Sequence, residues 1–242
     1  MIEIQSIQDI AGIKQLSLSD RKETRTTIHP LNKQEITHIL KCCDALWLHS
    51  GNPKDPHVEL ISGKHSDGFI DTLRALRFTN VCELLAWSLV DLIKHRHPEL
   101  KFDWGIGSDH AGAAFSHSVA THLGIQHDFT EKGPDKTQLW KRFAIEPKEV
   151  VLQIEELMTT AGTLLAVRNG IIKGNNGPVT FAPIAVVLIH RSDIFEVDGT
   201  MIDYLVHYDI NTWEPQDCPL CVAGSKPISN CKANWAELTG KS

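Results

Sequence analysis

The chain has 242 residues, 42% of them hydrophobic, enough to bury a sizeable core as one domain or one domain with a small annex. Twenty-four basic residues against 30 acidic ones leave a net charge of −6, which excludes the basic footprint of a general nucleic-acid binder. No apolar run approaches the roughly 20 residues of a membrane span, the N-terminus lacks the basic and apolar regions of a secretory signal, and six cysteines are too sparse for a disulfide scaffold, so a reducing cytoplasm is expected.

Residues 1–31 are polar, mixed in charge and weakly periodic, and read as an accessory arm. From Asn32, the apolar positions Ile36, Ile39, Leu40, Cys43, Leu46 and Trp47 recur at helical spacing with Gly51 as terminal cap, which predicts one amphipathic helix. Asn80 and Glu83 form a capping-box pair ahead of a second helix that ends before Pro98. Phe102-Asp103-Trp104-Gly105-Ile106-Gly107 reads as a strand entering a glycine-bearing turn, followed by a tightly packing helix at 111–123 closed by Gly124. Residues 128–143 form a basic hairpin or flexible loop. A strand at 149–154, a turn at 155–163 and a helix at 164–173 repeat the pattern, and a buried strand follows at 182–189. Strands alternating with helices predict an α/β fold with a parallel sheet covered on both faces. Ligands then bind at the C-terminal ends of the strands, in the strand-to-helix loops.

The most informative of these loops carries Glu155 and Glu156, then Thr159, Thr160, Ala161, Gly162 and Thr163 at the start of a helix. Main-chain N–H groups at a helix N-terminus, joined by threonine hydroxyls, cradle a phosphate dianion, and a glycine lets the backbone approach it. Carboxylates repel phosphate but accept hydrogen bonds from sugar hydroxyls and favour a sugar carbon that becomes positive. The pattern describes a ribose phosphate; its alternative is a threonine-capped helix whose acids complement the dipole. Neither G-x-x-x-x-G-K-[ST] nor G-x-G-x-x-G occurs, which excludes Walker-type ATPases and the dinucleotide-binding dehydrogenases.

Two acids followed by Thr-Thr-Ala-Gly-Thr resemble the phosphoribosyl-pyrophosphate signature of the type I phosphoribosyltransferases, with Glu156 and Ala161 in place of the more usual aspartate and glycine. The stretch Ser62-Gly63-Lys64-His65-Ser66, with Phe69, resembles the segment of orotate phosphoribosyltransferases that closes over the base, although Ile61 stands where that family commonly has lysine. Arg191, at the end of the apolar run Ala185-Val186-Val187-Leu188-Ile189, resembles the arginine that grips the orotate carboxylate, a task suited to a planar guanidinium. The loop from Glu131 to Phe143 is similar to the family's catalytic loop, and Lys132, Lys136 and Arg142 are its candidate pyrophosphate ligands, a solvated charged hairpin being the alternative. Gly105 to Gly112 occupies the place of the pyrophosphate loop but carries Ser108, Asp109 and His110; an aspartate there repels pyrophosphate unless Mg2+ intervenes.

The resemblance covers residue 32 to the C-terminus. It implies the type I phosphoribosyltransferase fold with a small hood, taken here as residues 32–212 followed by a tail at 213–242. It also implies Mg2+-dependent transfer of 5-phosphoribose to orotate in pyrimidine biosynthesis, and a homodimer that lends a loop lysine across its interface. A different base, or a non-catalytic ribose-phosphate or nucleotide sensor, are the other readings. The tail resembles the Cys-Pro-x-Cys ending of some orotate enzymes. Cys218 and Cys221 have zinc-knuckle spacing, with Cys231 or His207 as further donors, but one C-x-x-C pair does not complete a four-ligand site, so metal-free thiols are expected over Zn2+.

Overall fold

Asn32 and Glu35 exchange hydrogen bonds, the Asn32 N–H donating to Glu35 Oε2 (2.9 Å) and the Glu35 N–H to Asn32 Oδ1 (3.0 Å), a reciprocal cap that opens α1 (Lys33–Cys42). The computed structural model describes residues 30–240, so all but the end of the expected arm lies outside the described residues. α1 stops well short of Gly51, which corrects the single long helix. Asp44 takes the left-handed conformation (φ +55°), and the Ala45 N–H reaches back to the Leu40 carbonyl at 2.8 Å. The apolar pattern then continues as a strand, β1 (Leu46–Leu48).

Next come β2 (His57–Glu59), β3 (His65–Ser66), β4 (Gly68–Ile70), α2 (Thr72–Leu76) and α3 (Thr79–Arg96). The Asn80–Glu83 capping box is not made: α3 starts two residues early, behind Phe78, which gives no side-chain cap. The chain continues through β5 (Trp104–Gly107), α4 (Ala111–Leu123), β6 (Gln126–Phe129), β7 (Glu131–Lys132), β8 (Gln138–Leu139), β9 (Val150–Met158) and α5 (Gly162–Gly174). It ends with β10 (Thr180–His190), β11 (Glu196–Val197), β12 (Thr200–His207), β13 (Thr212–Trp213), α6 (Pro219–Val222), β14 (Pro227–Ile228) and α7 (Trp235–Thr239). Among the described residues no helix is long and apolar enough to cross a membrane.

The chain divides into two units, one of Leu76–Tyr208 with the segment up to Ile36, the other of Thr37–Ala75 and Asp209–Ser242. The first holds a six-stranded sheet in the order β11-β12-β10-β9-β5-β6, parallel except for the short β11. Read from the β6 edge, the five parallel strands run second, first, third, fourth, fifth in chain order. The order reverses between β5 and β9, where a doubly wound sheet opens a ligand crevice at its C-terminal edge.

Alternation along β5 explains its composition. A Cβ at Gly105 would sit 3.1 Å from Ala120 Cβ, and one at Gly107 would sit 2.6 Å from Ser116 Oγ and 2.7 Å from the Gly112 carbonyl, so α4 lies almost on the strand backbone. Trp104 and Ile106 point to the other face and pack with Val151, Val167 and Ile171, the last two from α5. Over α5 runs a strap that includes Gln138, Trp140 and Ile145. Asn175 clamps its end, its side-chain amide bonding both the N–H (2.9 Å) and the carbonyl (3.0 Å) of Ile145.

A Cβ on Gly170 would collide with the Gln138 carbonyl, and one on Gly174 with that of Trp140. Glycine to alanine inside a helix normally stabilises by about 1 kcal/mol. Here the sign reverses: Gly170→Ala is expected to lower stability by about 1–3 kcal/mol, read from the urea midpoint, because backbone rather than a mobile side chain must move.

The second unit pairs β1 with β4 and forms a four-stranded sheet in the order β13-β3-β2-β14. Its core is Val58, Ile228, Cys231, Trp235 and Leu238, with Trp47, Leu60 and Phe69 against it. The tail beyond residue 212 is built into this unit through β13, β14 and α7.

Candidate functional site

The parallel ladder carries β9 beyond its expected end, through the pairs Val187 with Glu155 and His190 with Met158. Glu155 and Glu156 therefore belong to the strand and not to the turn, a correction that follows from the β10 ladder running on to Met158, past the β5 ladder, which ends at Gln153. The bend shrinks to residues 159–161, and α5 opens at Gly162 instead of residue 164. Thr159, Thr160, Gly162 and Thr163 are exposed, so the bend is not plugged. Ala161 has φ −75°, a conformation in which its methyl carries no strain, and a Cβ on Gly162 would meet only Thr160 Oγ1, at 3.5 Å. This exposed start of α5, where the Gly162 N–H makes a long bond to Thr160 Oγ1 (3.4 Å), suits an anion.

Beneath this mouth sit one buried acid, Glu155, and one partly buried acid, Glu156. Glu155 is 3% exposed and bonded by Ser108, and burial, then neighbouring Glu156 and Asp109, raise its carboxyl well above the usual range. Glu156 is raised by burial first and by Asp109, and its Oε2 is buried with no hydrogen-bond partner. Asp109 goes the other way: burial pushes it upward, but hydrogen bonds from Gln138 (3.2 Å) and His110 (2.7 Å) prevail and lower it. The loop after β5 is held tightly. His110 has φ +55° and ψ −111°, a conformation that costs about 1–3 kcal/mol in a residue with a side chain. A Cβ on Gly112 would collide with the Ser108 hydroxyl and lie 3.2 Å from Glu156 Oε2. Glu155, Glu156, Ser108 and Asp109 thus come from the loops or strand ends that flank the point where strand order reverses. A buried carboxylate oxygen without a partner beside an open helix N-terminus suits a ligand with hydroxyl donors or a cation next to an anion.

The basic segment is an ordered hairpin, with Glu131 paired to Leu139 and Lys132 to Gln138. Lys132 is exposed on it. Arg142 and Lys141 both bind Glu131, at 2.9 and 2.8 Å, so a pyrophosphate must compete with that carboxylate for Arg142. Gln138, which sequence reasoning passed over, receives a hydrogen bond from the Thr130 hydroxyl (2.8 Å) and donates to Asp109, tying the hairpin to the loop after β5. Arg191 follows β10 directly, and its N–H donates to the Met158 carbonyl (2.9 Å), which places it beside the bend at 159–161.

In the second unit, Ser62 and Gly63 form a turn (Gly63 φ +81°), and Lys64 pairs with Glu214 at 2.9 Å. Three expected base contacts are occupied otherwise. The Ser66 hydroxyl donates to the Asn211 carbonyl (2.8 Å), Phe69 packs near Trp235 (6.2 Å between rings), and His65 is buried among other metal-binding side chains. Those side chains are His57, Cys218 and Cys221. Cys231 is outside the set, its thiol donating to the Ile228 carbonyl, and His207 lies against His190 (2.9 Å), which corrects both as partners of the C-x-x-C pair. All six cysteines are free thiols.

No protein-family model matches the chain. It is 29% identical over 194 residues to an orotate phosphoribosyltransferase of Desulforamulus reducens, an alignment covering 80% of this chain and 94% of that protein. Among solved structures, the orotate phosphoribosyltransferase of Aeropyrum pernix is similar with a TM-score of 0.51 and 18% identity, over 71% of this chain and 93% of that one. Leishmania donovani UMP synthase is similar with a TM-score of 0.53 and 16% identity, over 74% of this chain but only 37% of the longer one. The structural likenesses establish the fold expected from the sequence, an α/β type I phosphoribosyltransferase fold.

Proposed function

We infer that this chain, a type I phosphoribosyltransferase related in sequence to proteins named orotate phosphoribosyltransferase, transfers 5-phosphoribose from phosphoribosyl pyrophosphate to orotate in cytoplasmic pyrimidine biosynthesis. The bond from ribose C1 to the pyrophosphate oxygen breaks, a bond from C1 to a ring nitrogen of orotate forms, that nitrogen's proton is released to water, and pyrophosphate leaves with the bonding pair. The observation that carries this reading is the partnerless, buried Glu156 Oε2 under an open helix N-terminus, at the reversal of strand order.

In this reading the α5 amides with Thr159, Thr160, Gly162 and Thr163 hold the 5-phosphate, and Ala161 contributes its backbone. Glu155 and Glu156 accept hydrogen bonds from the ribose hydroxyls, and their charge lies where C1 becomes positive. Lys132 and Arg142 neutralise the departing pyrophosphate, an interaction strongest when charge develops in the transition state. Arg191 binds the orotate carboxylate in two-pronged fashion. The acid cluster fits Mg2+, a hard cation that takes oxygen donors; Asp109 and Glu156 would hold it, and it would supply positive charge to the pyrophosphate. The resemblance to the family's catalytic loop supports a homodimer in which Lys132 of the hairpin serves the partner's site.

Purified protein incubated with phosphoribosyl pyrophosphate, Mg2+ and a panel of purine and pyrimidine bases is expected to consume orotate. Arg191→Ala should lower kcat/KM for orotate by about 10²-fold, the worth of a lost charge-assisted pair, while binding of phosphoribosyl pyrophosphate is unchanged. Turnover with another base alone overturns the substrate, and binding without any turnover overturns the enzyme.

A further inference from the structure

We propose that the second unit carries a structural zinc site, in which His57 Nε2, His65 Nδ1, Cys218 Sγ and Cys221 Sγ bind one Zn2+ tetrahedrally. These atoms all lie within 4.8 Å of one another. His57 Nε2 is 3.0 Å from His65 Nδ1, 3.6 Å from Cys218 Sγ and 3.5 Å from Cys221 Sγ, and Cys221 Sγ is 3.2 Å from His65 Nδ1. A tetrahedron built with Zn–N near 2.05 Å and Zn–S near 2.3 Å has edges of about 3.3 Å between nitrogens and about 3.6 Å between nitrogen and sulfur. These four separations fall within about 0.4 Å of those edges, and the other two pairs lie within 4.8 Å.

The chemistry of the donors agrees. Two imidazoles and two thiols without a carboxylate suit a borderline-soft ion and disfavour Mg2+ or Ca2+. His57 and Cys218 are fully buried and His65 nearly so, which gives a closed site with no open position for a substrate. His57 is oriented from behind: its Nδ1 lies 2.8 Å from Ser225 Oγ, whose hydroxyl donates to the Asp55 carbonyl at 2.6 Å. Such outer hydrogen bonds set which ring nitrogen faces a metal. The Cys-Pro-Leu-Cys turn is shaped as a knuckle. The Val222 N–H donates to the Cys218 carbonyl, the Ser225 N–H to that of Leu220, and Gly224 (φ +94°) turns the chain back.

The ion would act as a staple. It joins β2 and β3 to a segment more than 150 positions downstream, where the strand pairs β13–β3 and β14–β2 hold only two residue pairs each. A unit with so few ladder bonds gains much of its folding free energy from a metal clamp. His65 then serves structure, as does the buried Ser66 beside it, while Ser62 and Gly63 stay in the preceding turn.

Metal analysis of the full-length protein, purified from zinc-supplemented cells without chelator, is expected to find about one zinc per chain. Exchange for Co2+ should produce the intense visible bands of a tetrahedral site with thiolate charge transfer, and chelator should lower the melting temperature. Cys218→Ser and Cys221→Ser should each lose the metal, whereas Cys231→Ser keeps it. Wild-type protein with reduced thiols that holds less than about a tenth of an equivalent and develops no cobalt bands overturns the site, a result that needs no variant to fold. Loss of metal in Cys231→Ser equal to that in Cys218→Ser overturns the assignment of ligands. Both readouts are independent of catalysis, so they stand apart from the orotate assay.

Discussion

Gly162→Asp is expected to lower kcat/KM for phosphoribosyl pyrophosphate by about 10²–10³-fold while leaving the melting temperature within a degree or so of wild type. The position has ordinary backbone geometry and space around it, with only Thr160 Oγ1 at 3.5 Å from an added Cβ, so the fold has no reason to object. The loss comes from placing a carboxylate among the amides that receive the 5-phosphate. Forfeiting one or two charge-assisted hydrogen bonds of about 1.5–3 kcal/mol each accounts for that range, at about 1.4 kcal/mol per tenfold. Steady-state kinetics with varied phosphoribosyl pyrophosphate and a thermal melt decide it. Wild-type kinetics would show that the phosphate sits elsewhere, and a large fall in melting temperature would show that Gly162 serves packing.

Glu155→Gln and Glu156→Gln are each expected to stabilise the protein while crippling it. Burial raises both carboxyls, helped by Glu156 and Asp109 at Glu155 and by Asp109 at Glu156, and Glu156 Oε2 has no partner, so the folded chain pays to hold these acids when they are ionised. An amide of the same shape removes that cost. A gain of about 1 kcal/mol corresponds to a rise of about 2–4 °C for a chain of this size, against a fall in turnover of about 10²-fold for losing charge under the developing cation.

The pH dependence has a definite sign. A carboxyl whose folded pKa is raised binds its proton more tightly in the folded state, so wild-type stability falls as pH climbs from the ordinary glutamate range through the raised value. Each variant should flatten that fall. Denaturant midpoints across this window measure it; parallel curves for wild type and both variants would mean that the two acids are solvated or already paired.

The bend between β9 and α5 was legible because its signal is local. An apolar run, two acids, small hydroxyl residues and Gly162 are consecutive, and the helix they open needs no distant partner to be recognised. The same holds for the strand-helix unit at 104–124, where the small residues of 111–123 announce a tightly packing helix and Gly124 closes it in the left-handed conformation. Less was readable where the backbone took its partner from elsewhere. Helical spacing ran on past Cys42 because the alternation of a short strand imitates it over three residues, and the terminator was Asp44 rather than a glycine.

Composition and order thus determined the class of sheet and the alternation of strands, glycine-bearing turns and helices from residue 104 to residue 190. Tertiary structure alone decided how far β9 runs, since its length is set by the β10 ladder, and that Gln138 holds Asp109 across the hairpin. It also decided that Cys218 and Cys221 meet His57 and His65 and not Cys231. The physical reason is common to all three: contacts between residues far apart in sequence leave no periodicity to read, and they exist only once the chain has closed its long loops.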